Sequence, residues 1–165
     1  MKPKSLIEPA LVALSAELKL RGYAKSGSTF WLRNSDITFI ISLQSSTSNI
    51  SGLAKVTVNL GACIPALQDP QRLGTRPSVW SAHWHQRIGH LMPEKSDIWW
   101  SIRSVEEGRS IASEIVRCVQ QFGLPALAQV STVSALQRLW ESGCSPGLTE
   151  AQRVRYLQEL AEAAA

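Results

Sequence analysis

A change in the spacing of apolar residues near residue 28 constrains the fold of this chain more than any other feature. Over residues 4–21 the apolar positions recur every three or four residues, which predicts an amphipathic helix. From residue 28 onward, apolar and polar residues alternate in three runs: residues 29–33, 37–44 and 54–61. Successive alternating runs joined by polar turns are typical of antiparallel strands, so the sequence predicts a meander with one apolar face.

The second half of the chain adds one more predicted strand and then only helices. Residues 64–79 contain three prolines and a glycine, which predicts a long irregular excursion. A Trp-rich segment, residues 84–100, follows, and the alternation of Ile98, Trp100 and Ile102 predicts a fourth strand. We therefore expect an α+β fold with a four-stranded, mainly antiparallel sheet, an N-terminal helix and a helical C-terminal part, with the helices packed on one face.

Local signals predict where the C-terminal helices begin and end. Gly123 and Pro125 predict the stop of the first, and Ser131 the cap of the second. Thr149 and Gln152 have the spacing of a capping box, which predicts the start of a third helix.

The composition is typical of a globular protein kept in a reducing compartment. Apolar residues make up 44% of the chain and charged residues 18%. Three cysteines, Cys63, Cys118 and Cys144, cannot all pair with one another, and none lies in a CxxC arrangement. The chain shows neither a signal peptide nor an apolar stretch near the ~20 residues that cross a bilayer. We expect a cytoplasmic protein that does not contact membranes.

The net charge of +4 is unevenly distributed along the chain. Residues 1–103 carry twelve Lys/Arg against six Asp/Glu, whereas residues 104–165 carry five against seven. This asymmetry favours an acidic partner on the sheet side, although ordinary solvated surfaces also produce it.

Motifs that would indicate catalysis or a cofactor do not occur in the sequence. His83, His85 and His90 form a HxHxxxxH pattern, but no second Cys/His group lies at metal-ligand spacing. GxSxG, HExxH, GxGxxG and GxxxxGK sequences are missing as well. We expect no metal site, no cofactor and no catalytic residues, so a non-enzymatic role is favoured.

Strand parity predicts a polar and aromatic surface on the sheet face opposite the helices. Trp and Arg are the residue types enriched at interaction hot spots. Parity gives seven of the eight predicted binding residues: Trp31, Arg33, Gln44, Lys55, Asn59, Trp99 and Arg103. The eighth is Arg87, which lies beside Trp84 in the Trp-rich segment and could stack or pair there. A structural interpretation stands beside this one, in which the Trp-rich segment is mainly core: Trp84, Ile88, Leu91 and Trp100 are buried, and Arg87 pairs with Asp97 to fix a loop.

An ordered series of short motifs carries a family resemblance. These motifs are Gly27-Ser28-Thr29-Phe30 with Arg33, Ile41-Ser42-Leu43-Gln44-Ser45, Val56-Thr57-Val58-Asn59-Leu60-Gly61, Trp84-His85-Gln86-Arg87-Ile88-Gly89-His90-Leu91 and Asp97-Ile98-Trp99-Trp100. Over about residues 5–127 the chain resembles a bacterial family catalogued as domain of unknown function 4304. The resemblance implies a shared fold and brings no activity. We expect a single domain over residues 1–165, with a family-like α+β core at 1–127 and a helical extension at 128–165.

Three functional hypotheses follow from the sequence. The first is a protein-binding module, for instance an immunity protein that neutralises a bacterial toxin; a basic inhibitor fits an acidic toxin better than a basic nuclease. The second is nucleic-acid binding, with Trp31 and Trp99 stacking on bases. The third is a small-molecule enzyme, which needs a deep polar pocket containing His85, His90 and Asp97. The sequence leaves the oligomeric state open.

Overall fold

The computed structural model describes residues 1–72 and 74–165. Within these residues, six strands form one antiparallel sheet: β1 (Ala24–Ser26), β2 (Thr29–Arg33), β3 (Thr38–Ser45), β4 (Ala54–Cys63), β5 (Trp84–Arg87) and β6 (Trp100–Ile102). The strand order is β1-β2-β3-β4-β5, and β6 pairs with the other end of β4. The α+β class and the antiparallel meander are therefore confirmed.

The predicted number of four strands is wrong, because β1 and β5 were not recognised. β1 has three residues, all of them exposed, so it carries no alternation of apolar and polar positions. β5 has four residues and lies within the Trp-rich segment. It is defined by its pairing with β4, in which Asn59 lies opposite Arg87 and Gly61 opposite His85.

Helices cover the apolar face of the sheet. They are α1 (Pro3–Leu20), α2 (Ile88–Leu91), α3 (Val105–Cys118), α4 (Leu124–Gln129), α5 (Val133–Glu141) and α6 (Glu150–Ala164). α1 and α3 pack against each other, and Gly108 permits their close approach, since a Cβ there would lie 2.9 Å from the carbonyl oxygen of Leu6. Across residues 1–72 and 74–165, no helix has both the length and the apolarity needed to span a membrane.

The predicted helix stop at Gly123 is wrong. The chain continues from α3 through a π-helical turn (Val119–Gly123) into α4. Gly123 is needed for packing: a Cβ there would lie 2.8 Å from Leu60 Cδ2. Pro125 lies in the first turn of α4, directly after the π-helical turn.

The C-terminal helices are joined to the domain by both packing and backbone contacts. The cap of α5 is Thr132 and not Ser131 as predicted, whereas the capping box of Thr149 and Gln152 is confirmed. Trp140 of α5 is fully buried in the main core. The loop before α6 lies against β5, where the backbone N–H of His85 donates to the carbonyl oxygen of Pro146 at 3.0 Å.

The second face of the sheet is divided into a covered part and an open part. The excursion between β4 and β5 folds over the covered part with short 3₁₀ turns at Pro65–Leu67, Pro70–Arg72 and Val79–Ser81. Beneath it lies a small second core: Ile40, Cys63, Val79 and Ala82, with Trp31 packed against them. The open part extends over the C-terminal end of β3, the N-terminal half of β4, and β5 and β6. It carries polar side chains, among them Gln44, Asn59 and Arg87.

Candidate functional site

A hydrogen-bonded group of side chains occupies the open part of the second sheet face. Strand alternation places Gln44, Asn59 and Arg87 on this face, and the pairing of β4 with β5 sets Asn59 opposite Arg87. Asn59 Nδ2 donates to Gln44 Oε1 at 2.7 Å, and Arg87 Nη2 donates to the same oxygen at 3.4 Å. Asn59 is fully buried, so it cannot contact a ligand itself. Its side chain instead fixes the positions of Gln44 and Arg87 by hydrogen bonding.

Arg87 is the best fixed of these side chains. Its Nη1 donates to both carboxylate oxygens of Asp97, at 2.9 and 2.8 Å, which confirms the predicted pair. The guanidinium carbon lies 5.1 Å from the centre of the Trp99 ring, and Trp99 Nε1 donates to Asp97 Oδ2 at 3.2 Å. The hydrogen bond from Arg87, and then that from Trp99, lower the pKa of Asp97 below its ordinary value.

The loop that carries Asp97 and Trp99 depends on a close backbone approach. A Cβ on Gly89 would lie 2.1 Å from the carbonyl oxygen of Ser96, so only glycine fits there. Thr57 Oγ1 donates to the carbonyl oxygen of Ile98 at 2.7 Å and ties the returning loop to β4. These contacts place Asp97 and Trp99 over the sheet.

An exposed tryptophan that sequence reasoning missed lies at the other end of the group. Trp80 is 61% exposed, and its ring meets the ring of His85 edge to face at 5.1 Å. His85 Nε2 lies 3.1 Å from Asn59 Oδ1, which connects Trp80 to the same network. We name this region the Trp80–Trp99 surface: Trp80, His85, Gln44, Arg87 and Trp99, with Asn59 beneath them. No periodic pattern could have identified Trp80, because it lies in a 3₁₀ turn of the irregular excursion.

Trp31 does not share a surface with Trp99 as predicted. Its Nε1 donates to the carbonyl oxygen of Pro77 at 2.8 Å, and the guanidinium of Arg76 stacks on its ring at 4.9 Å. Three strand spacings of about 4.8 Å and four residues of about 3.3 Å separate the two tryptophans, on the order of 20 Å in all.

The remaining predicted binding residues lie apart from the Trp80–Trp99 surface. Arg33 is exposed at the end of β2, and Lys55 is exposed on β4 opposite Ser101. Arg103 follows β6 and pairs with Glu107 at 3.6 Å. Of the eight predicted residues, the structure therefore joins four: Gln44, Asn59, Arg87 and Trp99.

The structural interpretation of the Trp-rich segment is confirmed for most of its residues. Trp84, Ile88 and Trp100 are buried in the main core, and Leu91 packs against it at partial exposure. The segment therefore supplies core side chains from one face and surface side chains from the other, as strand parity requires.

The three histidines have separate environments. His83 is buried, and its Nδ1 accepts a hydrogen bond from the backbone N–H of Ile64 at 2.8 Å. His85 belongs to the surface just described, and His90 is exposed on α2. In the described part of the chain, no three His, Cys, Asp or Glu residues are arranged to hold a metal ion.

The chemistry of the Trp80–Trp99 surface suits recognition better than proton transfer. Asp97 is held in its charged form by Arg87, and burial and then the charge of Arg87 lower the pKa of His85. A lowered carboxyl pKa disfavours a general acid at Asp97, and a lowered histidine pKa disfavours the protonated imidazole of His85. The accessible groups are a clamped guanidinium and indole rings, which bind by stacking and hydrogen bonding.

Comparison with known proteins agrees with the family resemblance. No curated protein and no solved structure matches the chain significantly. The family model described as Domain of unknown function (DUF4304) matches residues 14–129, which is more than half of the 165 residues. The chain therefore belongs to the domain of unknown function 4304 family.

Proposed function

We propose that this chain is a non-enzymatic, cytoplasmic protein-binding module that holds an acidic partner protein on the Trp80–Trp99 surface. The observation that carries the proposal is the fixed Arg87 guanidinium, clamped by Asp97 and stacked on Trp99, with the 61% exposed Trp80 on the same network. Trp and Arg dominate the hot spots of protein interfaces, particularly where their conformation is set before binding.

The side chains of the Trp80–Trp99 surface lose little conformational freedom when a partner binds. Arg87 is only 24% exposed and forms two short bonds to Asp97, so its conformation is already restricted. Gln44 and Asn59 hold the same guanidinium from the sheet side. When a partner stacks on Trp80 or Trp99 and bonds to the polar groups between them, little side-chain conformational entropy is lost, because these groups are already ordered.

The charge of this face favours an acidic partner. Lys55 is exposed on the second sheet face opposite Ser101, two residues along from Trp99, and within residues 1–72 and 74–165 it forms no ion pair. An uncompensated cation beside the surface attracts a complementary acidic partner and raises its association rate. An immunity protein that covers an acidic enzyme toxin is the specific biological form that we propose.

The two alternative functions have less support. Nucleic-acid binding on the sheet needs Trp31 and Trp99 as neighbouring stacking platforms, but Trp31 lies beneath Arg76 about 20 Å away. A small-molecule enzyme needs a deep pocket around His85, His90 and Asp97, whereas His85 and Asp97 bond to Asn59 and Arg87 at the surface.

The proposal is tested by co-expressing the chain with the product of each gene adjacent to its own. Any complex is purified and its affinity measured by calorimetry. Trp80→Ala should weaken binding by roughly ten- to a hundredfold, the usual loss at a hot spot. Leu20→Ala, which truncates a hydrophobic residue that is 87% exposed on α1, is the matched control and should leave the affinity unchanged.

Two outcomes would contradict the proposal. A bound partner whose affinity is the same for Trp80→Ala, Trp99→Ala and wild type would place the interface elsewhere. If none of the adjacent gene products binds, the chain is not an immunity protein encoded beside its toxin.

A further inference from the structure

A second, separate feature is a cleft between the excursion and α6. Its volume is about 860 Å³, within the range of small-molecule sites. One wall comes from the excursion and the other from α6, with buried His83 at its base. Its charged lining residues are Asp69, Arg72, Arg76, Arg155 and Glu159. We name it the excursion–α6 cleft.

The cleft carries more positive than negative charge at its lining. Glu159 lies 3.6 Å from Arg155, and Asp69 accepts a hydrogen bond from the backbone N–H of Gln71 at 3.0 Å. In the described part of the chain, Arg72 and Arg76 form no ion pair. Two guanidinium groups are thus available to an anion.

Two of the three arginines are held in place before any ligand arrives. Arg76 stacks on Trp31 and Arg155 stacks on Tyr156, each at 4.9 Å from the ring centre. Tyr156 is fixed in turn by the ring of His83, which meets it edge to face at 4.8 Å. Stacking on a ring leaves the N–H edges of a guanidinium free for in-plane hydrogen bonds to oxygen anions.

One wall of the cleft belongs to the C-terminal part of the chain, residues 128–165. The family match ends at residue 129, whereas Arg155 and Tyr156 lie on α6. The extension is fixed against β5 at Gly147, whose φ of +81° and Cβ position 2.6 Å from His85 Cβ require glycine. The cleft exists because the extension is held there.

We propose that the excursion–α6 cleft binds a small molecule that carries a phosphate group, with Arg72, Arg76 and Arg155 contacting the phosphate oxygens. The two guanidinium groups of Arg72 and Arg76, unpaired within the described chain, can balance a dianion, and Arg155 adds further N–H donors beside Glu159. Guanidinium groups form bidentate hydrogen bonds to phosphate oxygens. The volume exceeds that of phosphate alone, so Gln68 and the apolar Leu67 remain to contact the rest of the molecule. This site shares no residue with the Trp80–Trp99 surface, and its test is independent of the proposed protein partner.

The test is a calorimetric titration of the full chain with inorganic phosphate and with adenosine monophosphate at low salt. We expect adenosine monophosphate to bind with a Kd below about 1 mM. Arg76→Gln and Arg155→Gln should each weaken binding by roughly ten- to a hundredfold, as expected for a lost charge-assisted bond. Arg138→Gln removes an exposed, unpaired arginine of α5 within the described residues and is the control.

Arg72→Gln is the second variant, because Arg72 is exposed and lies over no aromatic ring of the described chain. Arg72→Gln should therefore have the melting temperature of the wild type. It tests the site even if Arg76→Gln or Arg155→Gln lowers the melting temperature. The proposal is overturned when neither phosphate probe binds, or when the cleft variants bind like Arg138→Gln. Binding to a single-stranded oligonucleotide without binding to the monophosphate would also overturn a small-molecule site.

Discussion

Replacing His83 with asparagine should remove much of the pH dependence of folding stability between pH 5 and 7. His83 is 3% exposed, and burial, followed by the positive charge of Arg155, lowers its pKa from 6.5 to about 4. Between these two values the unfolded chain binds a proton that the folded chain does not. Lowering the pH through this window therefore favours unfolding.

The magnitude follows from the same two pKa values. For a single group with a pKa of 6.5 unfolded and about 4 folded, the linkage relation gives a loss of roughly 2 kcal/mol from pH 7 to pH 5. The full loss, reached below pH 4, is roughly 3 kcal/mol. Small domains have stabilities of about 5–15 kcal/mol, so this loss is readily measured.

The assay is urea unfolding of the wild type and of His83→Asn at pH 7, 6 and 5. The asparagine amide oxygen can accept the hydrogen bond that Ile64 N–H gives to Nδ1, and it does not titrate. The variant should be less stable at pH 7, because it loses the ring contact with Tyr156, but its stability should change less toward pH 5. His90→Asn, at an exposed position, is the control and should follow the wild type. If the free energy of unfolding falls by the same amount from pH 7 to pH 5 in the wild type and in His83→Asn, the reasoning is refuted.

Two further predictions concern folding and thiol reactivity. Gly89→Ala should cost more than about 3 kcal/mol of unfolding free energy, because its Cβ would lie 2.1 Å from the Ser96 carbonyl oxygen. Thermal melting measures this, and a melting temperature like that of the wild type would contradict the close approach. Of the three thiols, only Cys144 should react with a thiol reagent at pH 8, because burial raises the pKa of Cys63 to about 12 and also raises that of Cys118. Mass spectrometry of the labelled protein identifies the site, and rapid labelling at Cys63 would contradict this prediction.

Periodicity predicted the long elements well, because each buries a face along its whole length. β3 and β4 have eight and ten residues and pack an apolar side against α1 and α3, so their alternation is visible in the sequence. β1 and β5 have three and four residues, which is too short for a period to be distinguished. Their strand conformation comes from the neighbouring strand, which local sequence does not encode.

Strand parity identified only part of the candidate site. Gln44 and Asn59 were identified because they lie on one face of the long strands β3 and β4, and Trp99 because it lies in the alternating run that contains β6. Arg87 lies on β5, which was not predicted, and it was identified only by its place beside Trp84 in the sequence. Trp31 has the correct parity, but Pro77 and Arg76 cover it from 46 and 45 residues away along the chain. Such long-range coverage depends on where an irregular loop folds, and no local pattern encodes it.

The excursion between β4 and β5 connects the two proposed sites. It covers Trp31 and fills the small second core, which leaves only the half of the sheet face near Arg87 open. Its last turn then presents Trp80 to that open half, while its Arg76 belongs to the cleft. The sheet-face site lies wholly within residues 14–129, but the cleft also needs α6. The proposed protein-binding surface therefore lies within the part of the chain that the family model matches, whereas the proposed phosphate site also depends on α6, which lies beyond that match.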